Sequence, residues 1–204
     1  FILPDSSVLT SQAAANPKIG ETIITLIRND CKPVEAMEQA IRHDPYPEYR
    51  QIALLTSTGE TSVHSGSRTR PFSGYSEGKD CIAVGNFLKS EQVLEAMTNE
   101  FNGLHTEASL IDRLIAALNA GKHAGGQEGS NGKRLAERSA CLIVHTADEQ
   151  FPVNTRVDFS GDAIPELKKA VDAYRTMHKF YLKRATNPAD LPPQDQFSGN
   201  LGSS

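Results

Sequence analysis

Hydrophobic residues recur at helical spacing in two stretches near the start of the chain. In residues 18–29 the isoleucines and leucines repeat every three or four positions, and residues 33–43 repeat the pattern. Pro33 suits the first turn of the second stretch, whereas Pro45 cannot continue it. The pattern therefore predicts two helices, and a strand-like segment at residues 1–12 precedes them.

A β-hairpin is predicted next, because two strand-like runs flank a glycine-containing turn. The runs are residues 49–57 and 60–65, with Thr58-Gly59 between them. Residues 65–79 are rich in Ser, Gly, Arg and Pro and are predicted as a loop. The remaining predicted elements are strands at 80–86, 138–146 and 154–160, and helices at 90–102 (capped by Ser90), 106–121 (capped by Thr106 and stopped by Gly121) and 165–184.

Three of the predicted strands are apolar at consecutive positions, which indicates that both of their faces are covered. These runs are IALL, CIAV and ACLIV. The hairpin implies antiparallel pairing. Together these patterns predict an α/β (α+β) domain of four layers, an α/β/β/α sandwich, with a three-layer α/β/α sheet as the alternative. The 204 residues suit a single domain at 1–185, followed by a Pro-, Gly- and Ser-containing tail at 186–204.

Composition narrows the possible partners. A net charge of −4 does not indicate the excess of basic residues that nucleic-acid-binding proteins carry. No apolar run is long enough to span a bilayer. No signal-peptide pattern begins the chain, so we expect a cytoplasmic protein without nucleic-acid or membrane partners. A homo-oligomer is expected because the last predicted helix carries apolar residues that could pack on a second copy. They are Leu167, Val171, Tyr174, Met177, Phe180 and Tyr181.

The sequence contains no recognisable metal or nucleotide motif. Cys141 and His145 lie four residues apart on a strand, which puts their α-carbons about 13 Å apart, too far to share one metal. The Gly-rich segment 122–133 lacks P-loop spacing and is predicted as a mobile surface loop or an active-site flap. Cys81 and Cys141 lie in apolar runs, where buried reduced thiols are expected. No cofactor or metal is expected.

Two polar residues lie at strand ends, where catalytic groups are usually presented. His64 ends the second hairpin strand, and Asn86 ends a buried strand, where its amide could donate to an oxyanion. Both are candidate catalytic residues, with an edge histidine and a turn asparagine as the structural alternatives. Arg50 enters the first central strand, where it either pairs structurally with Asp44 or binds a substrate carboxylate.

A set of short motifs follows a fixed order along most of the chain. They are Gln12, Asn16-Pro17 and Gly20, Asp44 with Arg50-Gln51, His64-Ser65-Gly66, Gly85-Asn86, the helix end at 114–121 with its AGG loop, Ser139-Ala140, Arg156-Val157-Asp158 and Pro165-Glu166-Leu167. Over about residues 7–174 this set resembles the domain-of-unknown-function family 1028.

The resemblance implies an N-terminal-nucleophile-hydrolase-like fold, which is an α/β/β/α sandwich. In enzymes of that fold a Ser, Thr or Cys at the mature N-terminus attacks an amide carbonyl, its own amine acts as base, and nearby donors stabilise the oxyanion. Relatives begin about 25 residues earlier, with a strand pair, and Phe1 cannot be the nucleophile. The expectation is therefore either that a further N-terminal segment carries the nucleophile or that this chain is not a self-sufficient hydrolase. Glu137-Arg138 replaces the Arg-Gln of many relatives, which bears on the substrate if that pair lines the site.

Three functions are compatible with these observations. The first is an amidohydrolase acting on a small amide or peptide-like molecule, with Asn86 and His64 as catalytic residues. The second is a non-catalytic ligand-binding or assembly protein that keeps the fold. The third is a hydrolase with an internal nucleophile, Ser65 or Ser139. The expected substrate-binding residues are Arg50, Asp44, Gln12, Asn16, Arg134 and Ser139.

Overall fold

Helices and antiparallel strands make up both of the compact units into which the chain divides. The computed structural model describes residues 1–70, 72–104, 108–146 and 153–197. One unit is built on residues 1–136, and the other on residues 137–144 and 153–197. The mixture of helices with small antiparallel sheets confirms the α+β class.

Four antiparallel strands form the main sheet of the first unit. They are β1 (Ile2–Leu3), β2 (Ser7–Ala13), β3 (Arg50–Thr56) and β4 (Thr61–Ser65), paired in that order. β3 and β4 are the predicted hairpin, and Gly59 supplies a positive φ of 86° in its turn. The register pairs Gln51 with Gln12, and Ile52 with His64. Neighbouring residues of a strand point to opposite faces, so these two pairs lie on opposite sides of the sheet.

The two predicted helices pack against one face of this sheet. α1 (Pro17–Arg28) and α2 (Pro33–Arg42) contribute Ile23 and Met37 to a core that Ile52 and Leu54 of β3 complete. None of these four side chains is more than 2% exposed. Burying each of them stabilises the fold by roughly 1.5–3 kcal/mol relative to leaving it in water.

The opposite face of β3 contacts a second hairpin. Its strands are β5 (Gly74–Gly78) and β6 (Cys81–Gly85), and β6 contacts β3. The prediction of a loop across residues 65–79 is therefore wrong over β5. The inward positions of β5 are small because a helix lies close against them. A Cβ on Gly78 would collide with Asn102, and Ser76 hydrogen-bonds Thr98 at 2.9 Å.

That helix is α3 (Gln92–Gly103), which packs on β5 and β6, and α4 (Leu110–His123) packs on α3. The predicted Ser90 cap is wrong: Glu91 precedes the first helical residue, and its side chain makes no capping bond. Ser109 caps α4 by accepting a hydrogen bond from the Asp112 N–H at 3.2 Å. Thr106, the predicted cap, lies outside the described residues. Instead of stopping α4, Gly121 lies inside it, where a Cβ would be 2.8 Å from Met97 Cγ.

The second unit contains one hairpin and the long C-terminal helix. They are β7 (Ala140–Val144), β8 (Val153–Val157) and α5 (Ala163–Thr186), and α5 contacts both strands. In β7, Leu142 and Val144 are buried whereas Cys141 and Ile143 are exposed. The prediction that this strand is covered on both faces, and that its cysteine is buried, is therefore wrong. The strand buries alternate positions only.

Apolar residues of α5 are buried within this unit. Leu167, Val171 and Phe180 are at most 2% exposed. Two short 3₁₀ turns follow the helix, Pro188–Asp190 and Gln194–Gln196. The ring of Phe197 then lies 4.2 Å from that of Phe180, measured between centroids, so the last described residues pack back on the helix.

Candidate functional site

The side chain of Gln51 is the centre of a polar network between the main sheet and the β5–β6 hairpin. Gln51 is polar but completely buried, and it directly precedes the apolar run IALL of β3. Burial of a carboxamide is costly unless its donors and acceptors all find partners. The neighbouring strands and the residue that follows β6 supply them.

Both ends of the Gln51 carboxamide are hydrogen-bonded. Its Oε1 accepts from Gln12 Nε2 at 2.8 Å and from Asn86 Nδ2 at 3.1 Å. Its Nε2 donates to Ser65 Oγ and to the Gly85 carbonyl, both at 2.9 Å, and lies 3.3 Å from the Gly74 carbonyl. We call Gln51 with Gln12, Ser65 and Asn86 the Gln51 network.

The register of the sheet brings this network together. Gln12 and Ser65 lie directly across from Gln51 on its two neighbouring strands, so all three side chains share one face. Asn86 follows β6, whose last residue, Gly85, accepts from Gln51. The structure thus brings together two of the predicted site residues, Gln12 and Asn86.

The network is buried at its centre and open at its rim. Asn86 is 8% exposed, whereas Ser65 is exposed and Gln12 is half-buried. The amide nitrogens of Gln12 and Asn86 both lie within 3.1 Å of one oxygen, so they are at most twice that distance apart. Each nitrogen carries two hydrogens and uses one of them on Gln51. The second N–H of each makes no other hydrogen bond to the described residues.

The Gly-rich segment is anchored beside Asn86. Residues 125–135, here called the Gly-rich strap, bond to residues 87–89: Glu128 N–H donates to the Phe87 carbonyl at 2.6 Å, and Lys89 N–H to the Gly126 carbonyl at 3.0 Å. Gln127 Nε2 donates to the Asn86 carbonyl at 3.1 Å. The base of the strap is thus hydrogen-bonded to the residues that follow β6, and its tip at 130–133 is exposed.

Arg50 and Asp44 form a half-buried ion pair on the helix side of the sheet. Arg50 Nε lies 2.8 Å from Asp44 Oδ2, and the two side chains are 12% and 2% exposed. A second guanidinium nitrogen donates to the Ala14 carbonyl. The hydrogen bond to Asp44 raises the pKa of Arg50, against the lowering effect of burial. Because Arg50 is committed to these partners, the structural alternative describes it better than substrate binding does.

His64 lies on the other face of the sheet from the Gln51 network. It pairs with Ile52, and its Nε2 donates to the Pro47 carbonyl at 2.7 Å. A single ring nitrogen is thereby used to hold the residues that lead into β3. The structure does not bring His64 and Asn86 together, so these two predicted catalytic residues cannot share one reaction centre in this arrangement.

The other predicted site residues are not members of the Gln51 network. Asn16 caps α1, where its Oδ1 accepts from the Lys18 N–H at 3.2 Å, and it lines a cavity of about 340 Å³ together with Asp44. Arg134 lies in the Gly-rich strap, where its backbone forms an antiparallel β-bridge with that of Glu128. Ser139 is exposed in the second unit.

Sequence reasoning missed the central residue of the site. In the sequence Gln51 belongs to the Arg50-Gln51 motif, and its one signal is a lone amide next to the continuous apolar run IALL. The sequence predicts Ser65 only as a possible nucleophile. Among the described residues, its side chain hydrogen-bonds Gln51 and no histidine or carboxylate. A base for Ser65 is therefore absent from the described part of the site.

The described residues contain neither a metal-binding cluster nor a membrane-spanning helix. No group of three or more His, Cys, Asp or Glu side chains there could hold a metal ion. None of the helices in that part of the chain is both long and apolar enough to cross a bilayer.

Comparisons with known proteins identify the family. The model of a family of unknown function, DUF1028, matches residues 2–167. A crystal structure of a Silicibacter pomeroyi protein of the same family is similar at a TM-score of 0.71 and 28% sequence identity, covering 83% of this chain and 70% of that one. No curated protein matches. The match over residues 2–167 spans most of the chain, which therefore belongs to the family of unknown function DUF1028.

Proposed function

We propose that this chain belongs to an amidohydrolase of the N-terminal-nucleophile type, in which the Gln51 network binds the carbonyl oxygen of a small amide. One observation carries the proposal: the amide nitrogens of Gln12 and Asn86 converge on Gln51 Oε1 at 2.8 and 3.1 Å. Gln51 holds both side chains from a completely buried position.

Such a pair of donors suits the chemistry of amide hydrolysis. When a nucleophile attacks an amide carbonyl, negative charge develops on its oxygen. Donors that are already oriented lose little free energy on reorganising, and removing one of them typically costs about 10²–10³-fold in rate. The second N–H groups of Gln12 and Asn86 are the donors that we assign to this role.

The order of elements in the first unit supports the proposed fold. Helices α1 and α2 cover one face of the main sheet, the β5–β6 hairpin contacts the other face, and α3 and α4 follow on the far side of the hairpin. This order supports the α/β/β/α sandwich that we propose, the four-layer arrangement implied by the resemblance to N-terminal-nucleophile hydrolases. Fold alone does not establish chemistry, so the proposal depends on the Gln51 network.

The nucleophile of the proposed enzyme is a Ser, Thr or Cys at the mature N-terminus of the full-length protein. Its free amine would act as the base, which removes the need for a histidine or carboxylate in the Gln51 network. His64 does not act as the base under this proposal, because its Nε2 donates to the Pro47 carbonyl.

The test is hydrolysis of a panel of N-acyl amino acids and dipeptides by the full-length gene product, followed by mass spectrometry. Asn86→Asp and Gln12→Glu keep the size of each side chain but replace its N–H donors with oxygen. We expect each variant to lose about 10²–10³-fold in kcat/KM on any substrate found. Asn131→Asp and Gln39→Glu are matched controls on exposed residues, and they retain activity. Hydrolysis that survives both site variants would refute the assignment.

A second candidate, a non-catalytic binding protein with the same fold, is favoured by a different observation. The Gln51 network contains only carboxamides and a hydroxyl, and none of these groups changes its protonation near neutral pH. Such a site can bind a carbonyl or carboxylate oxygen without reaction. Binding of an amide from the panel with no product after prolonged incubation would favour this candidate.

A further inference from the structure

We infer that the ligand of the Gln51 network is anionic, a small amide that carries a carboxylate, and that Arg68 and Arg70 bind this carboxylate. The inference rests on the proposed function for the position of the amide. Neither arginine belongs to the motifs or candidate residues found in the sequence.

Both arginines lie in the short segment that continues from the network. The segment follows Ser65, whose hydroxyl accepts from Gln51. Arg70 is then tied to the far side of the network, because its carbonyl accepts from the Phe87 N–H, and Phe87 directly follows Asn86. Adjacent α-carbons are about 3.8 Å apart, so the backbone that bonds Arg70 is one residue from the network.

The segment is held firmly by its backbone. Gly66 N–H donates to the Arg50 carbonyl and Arg68 N–H to the Glu48 carbonyl, both at 2.8 Å. Thr69 Oγ1 bonds the Gly66 carbonyl at 2.8 Å. A Cβ on Gly66 would collide with the Glu48 backbone, so this close approach requires glycine. The backbone that carries the two arginines is therefore hydrogen-bonded and closely packed, and this order lowers the entropic cost of binding a ligand.

Each guanidinium is placed by an aromatic ring. Arg68 lies 5.3 Å from the centroid of Tyr49 and donates to its hydroxyl, and Arg70 lies 5.2 Å from the centroid of Phe87. Stacking orients the plane of an arginine and leaves its N–H edge available. Tyr49 lies two residues before Gln51 in the chain and Phe87 directly follows Asn86, so each ring belongs to a residue close in sequence to the network.

The guanidinium groups of Arg68 and Arg70 keep N–H donors that bond none of the described residues. Both side chains are exposed, and within the described residues neither forms a salt bridge. Arg70 makes no side-chain hydrogen bond there, and Arg68 makes one. The nearby Glu48 adds to the raised pKa of Arg68 after the Tyr49 hydroxyl, but it makes no ion pair with it. Guanidinium groups bind carboxylates through paired N–H donors. By contrast, Arg50, the arginine expected from the sequence, is occupied by Asp44.

The inference is tested with two small probes that differ in one charge, N-acetylglycine and N-acetylglycinamide. Both carry an amide, and only the first carries a carboxylate. Titration of the full-length ¹⁵N-labelled protein is followed through the side-chain signals of Gln12, Asn86, Arg68 and Arg70. We expect N-acetylglycine to shift these signals and to bind about tenfold more tightly than N-acetylglycinamide, with the preference falling as salt is raised.

Variants separate this inference from the proposed function. Arg68→Gln/Arg70→Gln should abolish the preference for N-acetylglycine, whereas Arg28→Gln, an exposed arginine on α1, should keep it. Equal affinity for the two probes, no binding of either, or a preference that survives the double variant would overturn the inference. Hydrolysis of uncharged amides would then still support the proposed function. Tight N-acetylglycine binding without hydrolysis of any amide would support the inference and refute the proposed function.

Discussion

Gln12 donates a hydrogen bond across two antiparallel strands to Gln51, at 2.8 Å, where the two residues are direct register partners. The pair links a half-buried side chain to a completely buried one. Through Gln51 it also connects β2 to the residue that follows β6. A polar interaction in this position has consequences for both stability and ligand binding.

Replacing Gln51 by Leu should cost the protein about 2–4 kcal/mol of unfolding free energy, because the partners of its carboxamide lose their bonds in a buried place. Gln39→Leu on the exposed face of α2 should change the unfolding free energy by less than about 0.5 kcal/mol. Urea denaturation followed by circular dichroism measures both. Equal stability of the two variants would contradict the structural role of Gln51.

The Arg50–Asp44 pair should be sensitive to the loss of one partner. Asp44→Asn leaves a half-buried guanidinium without a counter-charge, which we expect to cost about 1–3 kcal/mol. Adding Arg50→Gln to this variant should recover part of the loss, and a double-mutant cycle in urea measures the coupling. Additive losses would mean that the pair is not coupled.

The pH dependence of this pair follows from the direction of the Arg50 pKa. The hydrogen bond to Asp44 raises that pKa in the folded state. A raised pKa gives a stabilisation that is complete below the unfolded value and is lost as the pH rises through the folded value. Because both values are strongly alkaline, the arginine should make no contribution to a change in stability between about pH 6 and pH 9.

Close backbone contact at Gly66 predicts a further large effect. A Cβ at this position would collide with the carbonyl group of Glu48, so Gly66→Ala should destabilise the protein by about 1–3 kcal/mol. Gly103→Ala, at the end of α3, meets no atom within 4 Å and should be neutral or slightly stabilising. Thermal unfolding of the two variants compares them directly. A neutral Gly66→Ala would show that the segment carrying Arg68 and Arg70 is not fixed by this contact.

The cysteines should differ in their rates of alkylation. Cys141 is exposed, whereas Cys81 is half-buried, and burial raises the pKa of its thiol. A raised pKa lowers the fraction of reactive thiolate at neutral pH, so iodoacetamide should modify Cys141 first. Peptide mass spectrometry over time measures both rates, and raising the pH should speed the reaction of Cys81. Faster modification of Cys81 at neutral pH would contradict this account.

Hydrophobic spacing predicted the elements whose burial follows a regular period. Ile23 of α1 and Met37 of α2 fit a helical stripe, and the β3–β4 hairpin contains a glycine turn between apolar runs. β5 was missed because its inward positions are glycine and serine, which α3 requires by lying so close. A strand whose inward residues must be small shows no alternating hydrophobic pattern in its sequence.

The candidate site could be predicted only in part. Successive side chains of a strand point to opposite faces, so a shift of one position decides whether a residue faces the site or the helices. His64 and Asn86 both lie at strand ends, as expected, but His64 pairs with Ile52 on the helix side. β3 is buried on both faces, so its apolar run does not reveal which face Gln51 occupies. The roles of Arg68 and Arg70 depend on rings that are distant in sequence, and no local pattern indicates them.

The most direct test of the central claim is the identity and reactivity of the first residue of the mature protein produced from its full-length gene. Intact mass and N-terminal sequencing give the residue, and acetylation of its amine tests its role as base. The account predicts a Ser, Thr or Cys upstream of Phe1, with amide hydrolysis lost on acetylation. A folded, mature protein that begins with any other residue, or hydrolysis that is unaffected by acetylation, would contradict it.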